Sequence, residues 1–481
     1  MHKTQLLFII ILIEGYVVLA TELLAIRQLI PFVGSGTETI SIIISAVLLP
    51  LAIGYHAGGK AFSRQYQLRK AKGVEEPLTV RKLLLRNIVT ALIILSIGMS
   101  YLLMDAFFGL LSAFGATHRL TQTTVYCLLF LVYPVYLLGQ TVPLVSNYFS
   151  RHKLSEITGR MLFFSTAGSF LGSVFSTIVL MTTIGVHNTV ILTLGLLCVL
   201  VILLVRRPLA YENFLCGFIF LMLLLMNGNT MMDTMRVVSN NAYNIVQVID
   251  EPHKKSTNLI INRSHSSKIS NDPKQNFVYW QYVQSVFIDT MPQSGPPKDI
   301  LILGAGGFTI GLTDKHNNYL YVDIDKALKE VVEKNFLRKP LTPNKRFLDA
   351  SARAFVHTHD QQYDLILIDT YTNFLSIAQE ATTKEFLQDT KKLLKPNGVL
   401  LANVIMSPDF RELFSVRYHN TFASVFPVFS RQVLGNYKPW PNKETSVLDM
   451  NNVIYSYYNH DMTQDSALYT DDRNTYSLDR D

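Results

Sequence analysis

The stretch Asp299-Ile-Leu-Ile-Leu-Gly-Ala-Gly-Gly307, followed at 319–325 by Tyr-Leu-Tyr-Val-Asp-Ile-Asp, decides the fold. The first run is short, apolar and ends in glycines; the second ends in an acid. Short continuous apolar runs bounded by turn residues fit strands covered on both faces. The same alternation continues downstream. Residues 326–336 pattern as a helix, 345–348 as a third strand, and Tyr363-Asp-Leu-Ile-Leu-Ile-Asp369 as a fourth. A helix over 383–394 stops at Lys395-Pro396-Asn397-Gly398, and Val399–Val404 is a fifth strand. Strands alternating with helices predict a doubly wound parallel sheet, a Rossmann-like α/β domain over 293–435. Ahead of it, 243–249, 258–262 and 266–270 alternate as a small antiparallel β segment, then a helix covers 276–291, so 236–292 forms a β-plus-helix lead-in. Residues 436–481 are polar and poorly patterned and read as a tail.

Working back toward residue 1, the chain changes character near 235. It has 481 residues, 49% of them hydrophobic and 16% charged, too few charges for an ordinary soluble enzyme of this length. Residues 1–235 repeat a pattern of about 20 apolar residues and a polar break. This predicts an α-helical membrane bundle of seven spans near 5–27, 39–60, 84–105, 124–149, 160–184, 188–205 and 213–229. Residues 1–235 hold 16 Lys+Arg against 9 Asp+Glu, the whole of the +7 net charge, and the remainder is balanced. The excess sits in alternate loops, at Arg64, Arg69, Lys70, Lys72, Arg81, Lys82 and Arg86, at Arg151, Lys153 and Arg160, and at Arg206 and Arg207. Such loops face the cytoplasm. Basic residues placed this way orient a multi-pass protein in a bacterial inner membrane and leave no patch for nucleic acid. Seven spans from an inside N-terminus would put the second half outside, whereas a site for a cytosolic cofactor needs it inside, so either one weak span is re-entrant, with the short last run the suspect, or a further span goes uncounted. Glu14, Glu22, His56 and Gln140 lie inside the spans, either as pairing groups or as part of a pathway. The small residues between Gly159 and Gly172 suit close helix packing. Cys127, Cys198 and Cys216 all lie in apolar runs and exclude a disulfide scaffold.

Ligands of open α/β sheets bind at the carboxyl ends of the strands. Four such ends carry suggestive residues. Gly304, Ala305, Gly306 and Gly307 allow close backbone approach. Asp323 ends the second strand, where a carboxylate can accept both hydroxyls of a ribose. Asp349 follows the third, placed for an adenine amino group, and Asp369 ends the fourth. No phosphate-cradling G-x-x-x-x-G-K-[ST] accompanies them. The ordered set fits a nucleoside without phosphates, S-adenosylmethionine or a relative. No zinc-protease, EF-hand or nucleophile-elbow spacing occurs, and no metal is expected.

These pieces together resemble the polyamine aminopropyltransferases, in particular the membrane-fused spermidine-synthase-like proteins. In the membrane half the resemblance rests on Glu22 to Arg27 with Pro31, Ala52-Ile-Gly-Tyr-His-Ala-Gly-Gly59, Leu138-Gly-Gln-Thr-Val-Pro143 and Gly159–Gly172. In the second half it rests on Tyr243-Asn244, Leu303–Gly307, Val322-Asp-Ile-Asp325, Asp349-Ala350, Ile368-Asp369 and Leu394-Lys-Pro-Asn-Gly398. It implies donor contacts from Asn244, Gly304 to Gly307, Asp323, Ile324, Asp349, Ala350 and Asp369. It also implies chemistry on the aminopropyl carbon next to a sulfonium, with methylthioadenosine leaving. Asp369, Tyr279 and Tyr371 are the expected catalytic residues.

The sequence departs from that family at the positions that hold amines. The glycine-loop acid aligns with Gly307, the acid three residues after Asp369 with Thr372, and a Tyr-His-Glu stretch with Tyr279-Trp280-Gln281. A polyamine is a multiple cation that carboxylates hold, so the acceptor site is degenerate. The expected reaction is therefore intramolecular cleavage of S-adenosylmethionine, closing an azetidine carboxylate or a homoserine lactone. The alternatives are aminopropyl transfer from decarboxylated donor, a methyltransferase, and a membrane transporter or sensor with a nucleoside-binding domain. The expected surroundings are a small sulfonium substrate and a lipid bilayer, with homo-oligomerisation left open.

Overall fold

The computed structural model describes residues 3–71, 79–149, 154–205, 207, 209–373, 376–435 and 450–459. Lys72, Arg151, Lys153 and Arg206, used above for orientation, lie outside the described residues. The chain divides into two compact units, Met1–Ser266 with Thr372–Ser376, and Ser267–Tyr371 with Ile377–Asp481. The break therefore falls beyond 235, because most of the small sheet belongs to the first unit.

In the first unit six helices are long and apolar enough to cross a membrane: Gln5–Val33, Thr37–Lys60, Arg119–Ser146, Ser155–Thr183, Gly185–Leu204 and Tyr211–Thr234. A seventh span is made only if Val80–Gly98 and Tyr101–Ala113, bent by 67°, count as one. This corrects the expected straight span at 84–105. Apolar composition runs through the bend, but its backbone is held open by side chains from three other helices. Tyr126 donates to the Gly98 carbonyl (2.9 Å), Gln28 to the Met99 carbonyl (3.1 Å), and the Tyr101 amide donates to Asn227 (3.1 Å). Helix breaks in an apolar bundle persist where neighbours satisfy the freed groups in this way. Of the suspected re-entrant run at 213–229, the residues up to Asn227 belong to one helix, Tyr211–Asn227, and Gly228 separates it from Asn229–Thr234. The first helix and Ser155–Thr183 touch backbone to backbone. A Cβ at Gly168 would collide with the Leu12 carbonyl, and one at Gly172 with that of Tyr16.

The small sheet has four strands in the order β1-β2-β3-β4: β1 (Val237–Asn240), β2 (Ile245–Glu251), β3 (Ser256–Ile261) and β4 (Ser264–Ser270). β1 is an addition to the three expected strands.

The second unit is built on a seven-stranded sheet. Its strands are β5 (Asp299–Leu303), β6 (Asn318–Asp323), β7 (Lys345–Asp349), β8 (Tyr363–Ile368), β9 (Leu394–Met406), β10 (Ser430–Val433) and β11 (Asn451–Tyr458), in the order β10-β11-β9-β8-β5-β6-β7. β5 to β9 pair in parallel, as the apolar runs predict. Leu301, Leu303, Ile366, Ile368, Leu400 and Ala402 are buried on one face and Ile300, Ile302, Leu365, Leu367 and Leu401 on the other, the reason these strands read as unbroken apolar runs. The polar tail expected at 436–481 is corrected. Asn451–Tyr458 inserts antiparallel between β9 and β10 and buries Val453, Ile454 and Tyr455.

Candidate active site

β5 is followed by β6 and β7 on one side and by β8 and β9 on the other. The strand order thus reverses between β5 and β8, the place where such sheets open a crevice. Gly304 ends β5 there with φ +96°, and a Cβ on it would collide with the carbonyl of Asp369 at the end of β8. Only glycine permits that approach.

The loop then packs against the next acid. The Ala305 amide donates to one oxygen of Asp323 (3.1 Å) and the Asp325 amide to the other (3.0 Å). Burial pushes the Asp323 carboxyl up to about 6, while these backbone donors pull it down. The Ile324 amide is a third backbone donor to this carboxylate. Asp349 lies in register beside Asp323 and is exposed. Ile324 is 48% exposed, and Ala350 donates its amide to the Asp323 carbonyl. The glycine loop, Asp323, Asp349 and Asp369 therefore all stand at the carboxyl ends of β5, β6, β7 and β8. Asn244 is placed in the first unit, in the turn before β2, where its side chain accepts from Asn262 (2.9 Å).

Gly307 cannot carry a side chain without rearrangement. A Cβ there would lie 2.6 Å from both Phe336 and Ser267, and the Gly307 amide donates to Ser267 Oγ (2.9 Å). Thr372 belongs to the first unit, where its hydroxyl donates to the Ser376 carbonyl (3.0 Å) and accepts from Ser35 (3.2 Å).

Asp369 is the best-supported group of the set. It is half-buried, and burial pushes its carboxyl up to about 6, against hydrogen bonds from Asn403 and Tyr279 that lower it. Asn403 Nδ2 donates to Asp369 Oδ1 (2.9 Å), and Asn452 Nδ2 in turn donates to Asn403 Oδ1 (2.9 Å). The second bond fixes which way the Asn403 amide points. Burial, then the Asp369 charge, hold the Tyr279 hydroxyl well above the usual phenol range, so it stays a neutral donor. The helix that carries it, Val278–Val283, is pinned above the glycine loop by Trp280 donating to the Thr309 carbonyl (3.1 Å) and the Gly311 amide donating to Gln284 (3.0 Å). Tyr371 is placed differently. Its hydroxyl donates to the Asn403 carbonyl (3.2 Å) and accepts from the Ile405 amide (2.6 Å), both on β9. Those two bonds tie it to β9.

Asn403 and Asn452 went unnoticed in the sequence. The only signal for Asn403 is a lone amide inside the apolar run 399–406, which a buried strand does not carry without a partner. Among the described residues no group of His, Cys, Asp and Glu is placed to hold a metal ion.

Parts of the chain are similar to known proteins. Residues 302–402 match the methyltransferase domain family. The chain is 29% identical over 172 residues to a polyamine aminopropyltransferase of Vibrio vulnificus, covering 34% of this chain and 56% of that protein. It is 26% identical over 201 residues to polyamine aminopropyltransferase 1 of Aquifex aeolicus, covering 39% and 65%. The chain thus spans less than two thirds of the length of these relatives. A probable spermidine synthase from Corynebacterium glutamicum superposes with a TM-score of 0.38 at 18% identity, over 49% of this chain and 82% of that one. The sequence relatives and the domain match support a spermidine-synthase-like family.

Proposed function

We propose that this chain is a membrane-embedded enzyme that binds S-adenosylmethionine and cleaves it on the aminopropyl side, releasing methylthioadenosine by intramolecular attack. The observation that carries the reading is Asp369: one half-buried carboxyl at the strand switch point, oriented by Asn403 and Tyr279, while the sequence resemblance sets Gly307 and Thr372 against an aminopropyltransferase's amine-binding acids. Asp323 takes the ribose hydroxyls, Asp349 the adenine amino group, and the glycine loop lies along the nucleoside. The sulfonium carbon is already electrophilic, so the protein chiefly positions the attacking group. In one route the substrate amine attacks that carbon, the carbon–sulfur bond breaks, and its electron pair stays on sulfur. The ammonium proton passes to Asp369, and an azetidine carboxylate leaves. In the other, the substrate carboxylate attacks the same carbon and closes homoserine lactone. A carboxyl with an affinity near pH 6 accepts a proton at neutral pH and returns it to water.

The test is product analysis by mass spectrometry on detergent-purified protein given S-adenosylmethionine alone. Methylthioadenosine above the buffer blank, absent in Asp369→Asn, supports self-cleavage, and the partner fragment distinguishes the two rings. S-adenosylhomocysteine would point to a methyltransferase instead. The sequences of the relatives favour a second reading, aminopropyl transfer to an external amine. In that case product appears only when decarboxylated donor and an acceptor are both added. We place the second half on the cytosolic face, where the donor is made; protease protection in vesicles of known orientation tests it.

A further inference from the structure

The first helix carries buried oxygens that no part of the proposed reaction uses. Glu14, Thr21 and Gln28 are spaced by seven residues, so they share one face with a drift of about 20° per step. They are 1%, 0% and 1% exposed. Both carboxyl oxygens of Glu14, the hydroxyl of Thr21 and the amide oxygen of Gln28 lack any hydrogen-bond partner, as does one oxygen of Glu22 a quarter turn away. Tyr55 of Thr37–Lys60 is the titratable group in electrostatic reach of Glu14, and it hydrogen-bonds Ser165 of Ser155–Thr183. No ion pair to Glu14 or Glu22 exists among the described residues. The row rises about 21 Å, some two thirds of a hydrocarbon core. It ends at the bend: the other end of the Gln28 amide donates to the Met99 carbonyl, between the two halves of the broken helix.

Unpaired polar atoms in a bundle interior are expensive, and a lone ionised carboxylate is the most expensive of them. Ordered water relieves the neutral oxygens, and a bound proton relieves Glu14. Broken helices with polar side chains at mid-depth are where membrane proteins handle ions. We propose that Glu14 is a proton-carrying site, and that Thr21, Glu22 and Gln28 mark a hydrated file from it to the bend at Met99. The proposal stands on the bundle alone and does not depend on what the second unit catalyses.

The full chain is reconstituted in vesicles loaded with a pH-sensitive dye, the membrane potential is clamped, and a pH step is applied. The expected result is proton flux above protein-free vesicles, reduced to the protein-free level in Glu14→Gln, kept in Glu14→Asp and lowered in Thr21→Val. Wild-type flux equal to that of protein-free vesicles overturns the proposal, and so does undiminished flux in Glu14→Gln. Modification of detergent-solubilised wild type by an apolar carbodiimide, which attacks protonated buried carboxyls, is an independent readout free of any folding defect in the variants. Labelling mapped to Glu14 supports the proposal; an unlabelled Glu14 overturns it.

Discussion

Replacing Asp369 with asparagine is expected to abolish turnover and yet stabilise the second unit. Burial raises this carboxyl from 3.8 to about 6 in the folded chain. At about 1.4 kcal/mol per pH unit, holding it ionised costs the native state about 3 kcal/mol at neutral pH. Asparagine removes that cost. Its oxygen still accepts from Asn403, but its amide now meets the Tyr279 donor, a mismatch worth about 1 kcal/mol. The net gain is about 2 kcal/mol, or roughly 4–8 °C in the melting of a unit of this size. The sign with pH is definite. Above pH 6 the native carboxyl is charged and the full cost applies. Between 6 and 3.8 the native state has bound a proton that the unfolded state has not, and the cost fades, to about half at pH 5. Below 3.8 it is gone. The assay is tryptophan fluorescence during heating of the intact chain in detergent. The chain has two tryptophans; with Trp440 replaced by Phe, the signal comes from Trp280 in the helix Val278–Val283 of the second unit. An Asn variant that melts at or below wild type at pH 7.5, or whose advantage is as large at pH 5, would show that the folded chain bears no cost for an ionised Asp369.

Methylthioadenosine release by wild type should rise about tenfold per pH unit up to about 6 and then level off, because the ionised Asp369 is the competent form; a rate flat from pH 5 to 8 would exclude it as proton acceptor. Tyr371→Phe leaves the Ile405 amide and the Asn403 carbonyl without their shared partner, so a loss of about 1–3 kcal/mol in stability is expected with kcat largely kept; a kcat as low as that of Asp369→Asn would make the hydroxyl chemical. Asn452→Leu frees the Asn403 amide to turn away from Asp369, and the inflection in the pH–rate profile should move to higher pH as a lowering hydrogen bond is lost. Gly307→Ala should cost about 1–3 kcal/mol, read by the same melting assay, because its Cβ would meet Phe336 and Ser267 at 2.6 Å.

What could be read in advance was whatever periodicity and strand ends encode. The five parallel strands and the acids at their ends are visible because a strand covered on both faces leaves an unbroken apolar run that must stop where it meets the cleft. Asn451–Tyr458 escaped for the opposite reason. It is eight residues long, opens with two asparagines, and follows a long polar stretch, so nothing local separates it from a loop; its place is set by pairing with β9. The bend at Gly98–Ser100 was hidden because hydropathy measures composition and not direction. The side chains that hold it, Gln28, Tyr126 and Asn227, come from far away in sequence. Asn403 was missed because its meaning lies in Asp369 and Asn452, each a separate strand away.

β11 also sets an order of events during synthesis. On the membrane reading proposed above, the apolar helices, which precede it by more than 200 residues, enter the bilayer while the rest of the chain is still being made. The sheet, by contrast, lacks the strand between β9 and β10 until Asn451–Tyr458 has left the ribosome. Until then Asn403 has no Asn452 to orient it, and Asp369 keeps Tyr279 as its one oriented donor. On that reading a nascent chain is tethered at the membrane before its carboxyl is set, and a message truncated ahead of residue 451 yields an anchored protein with an unfinished site.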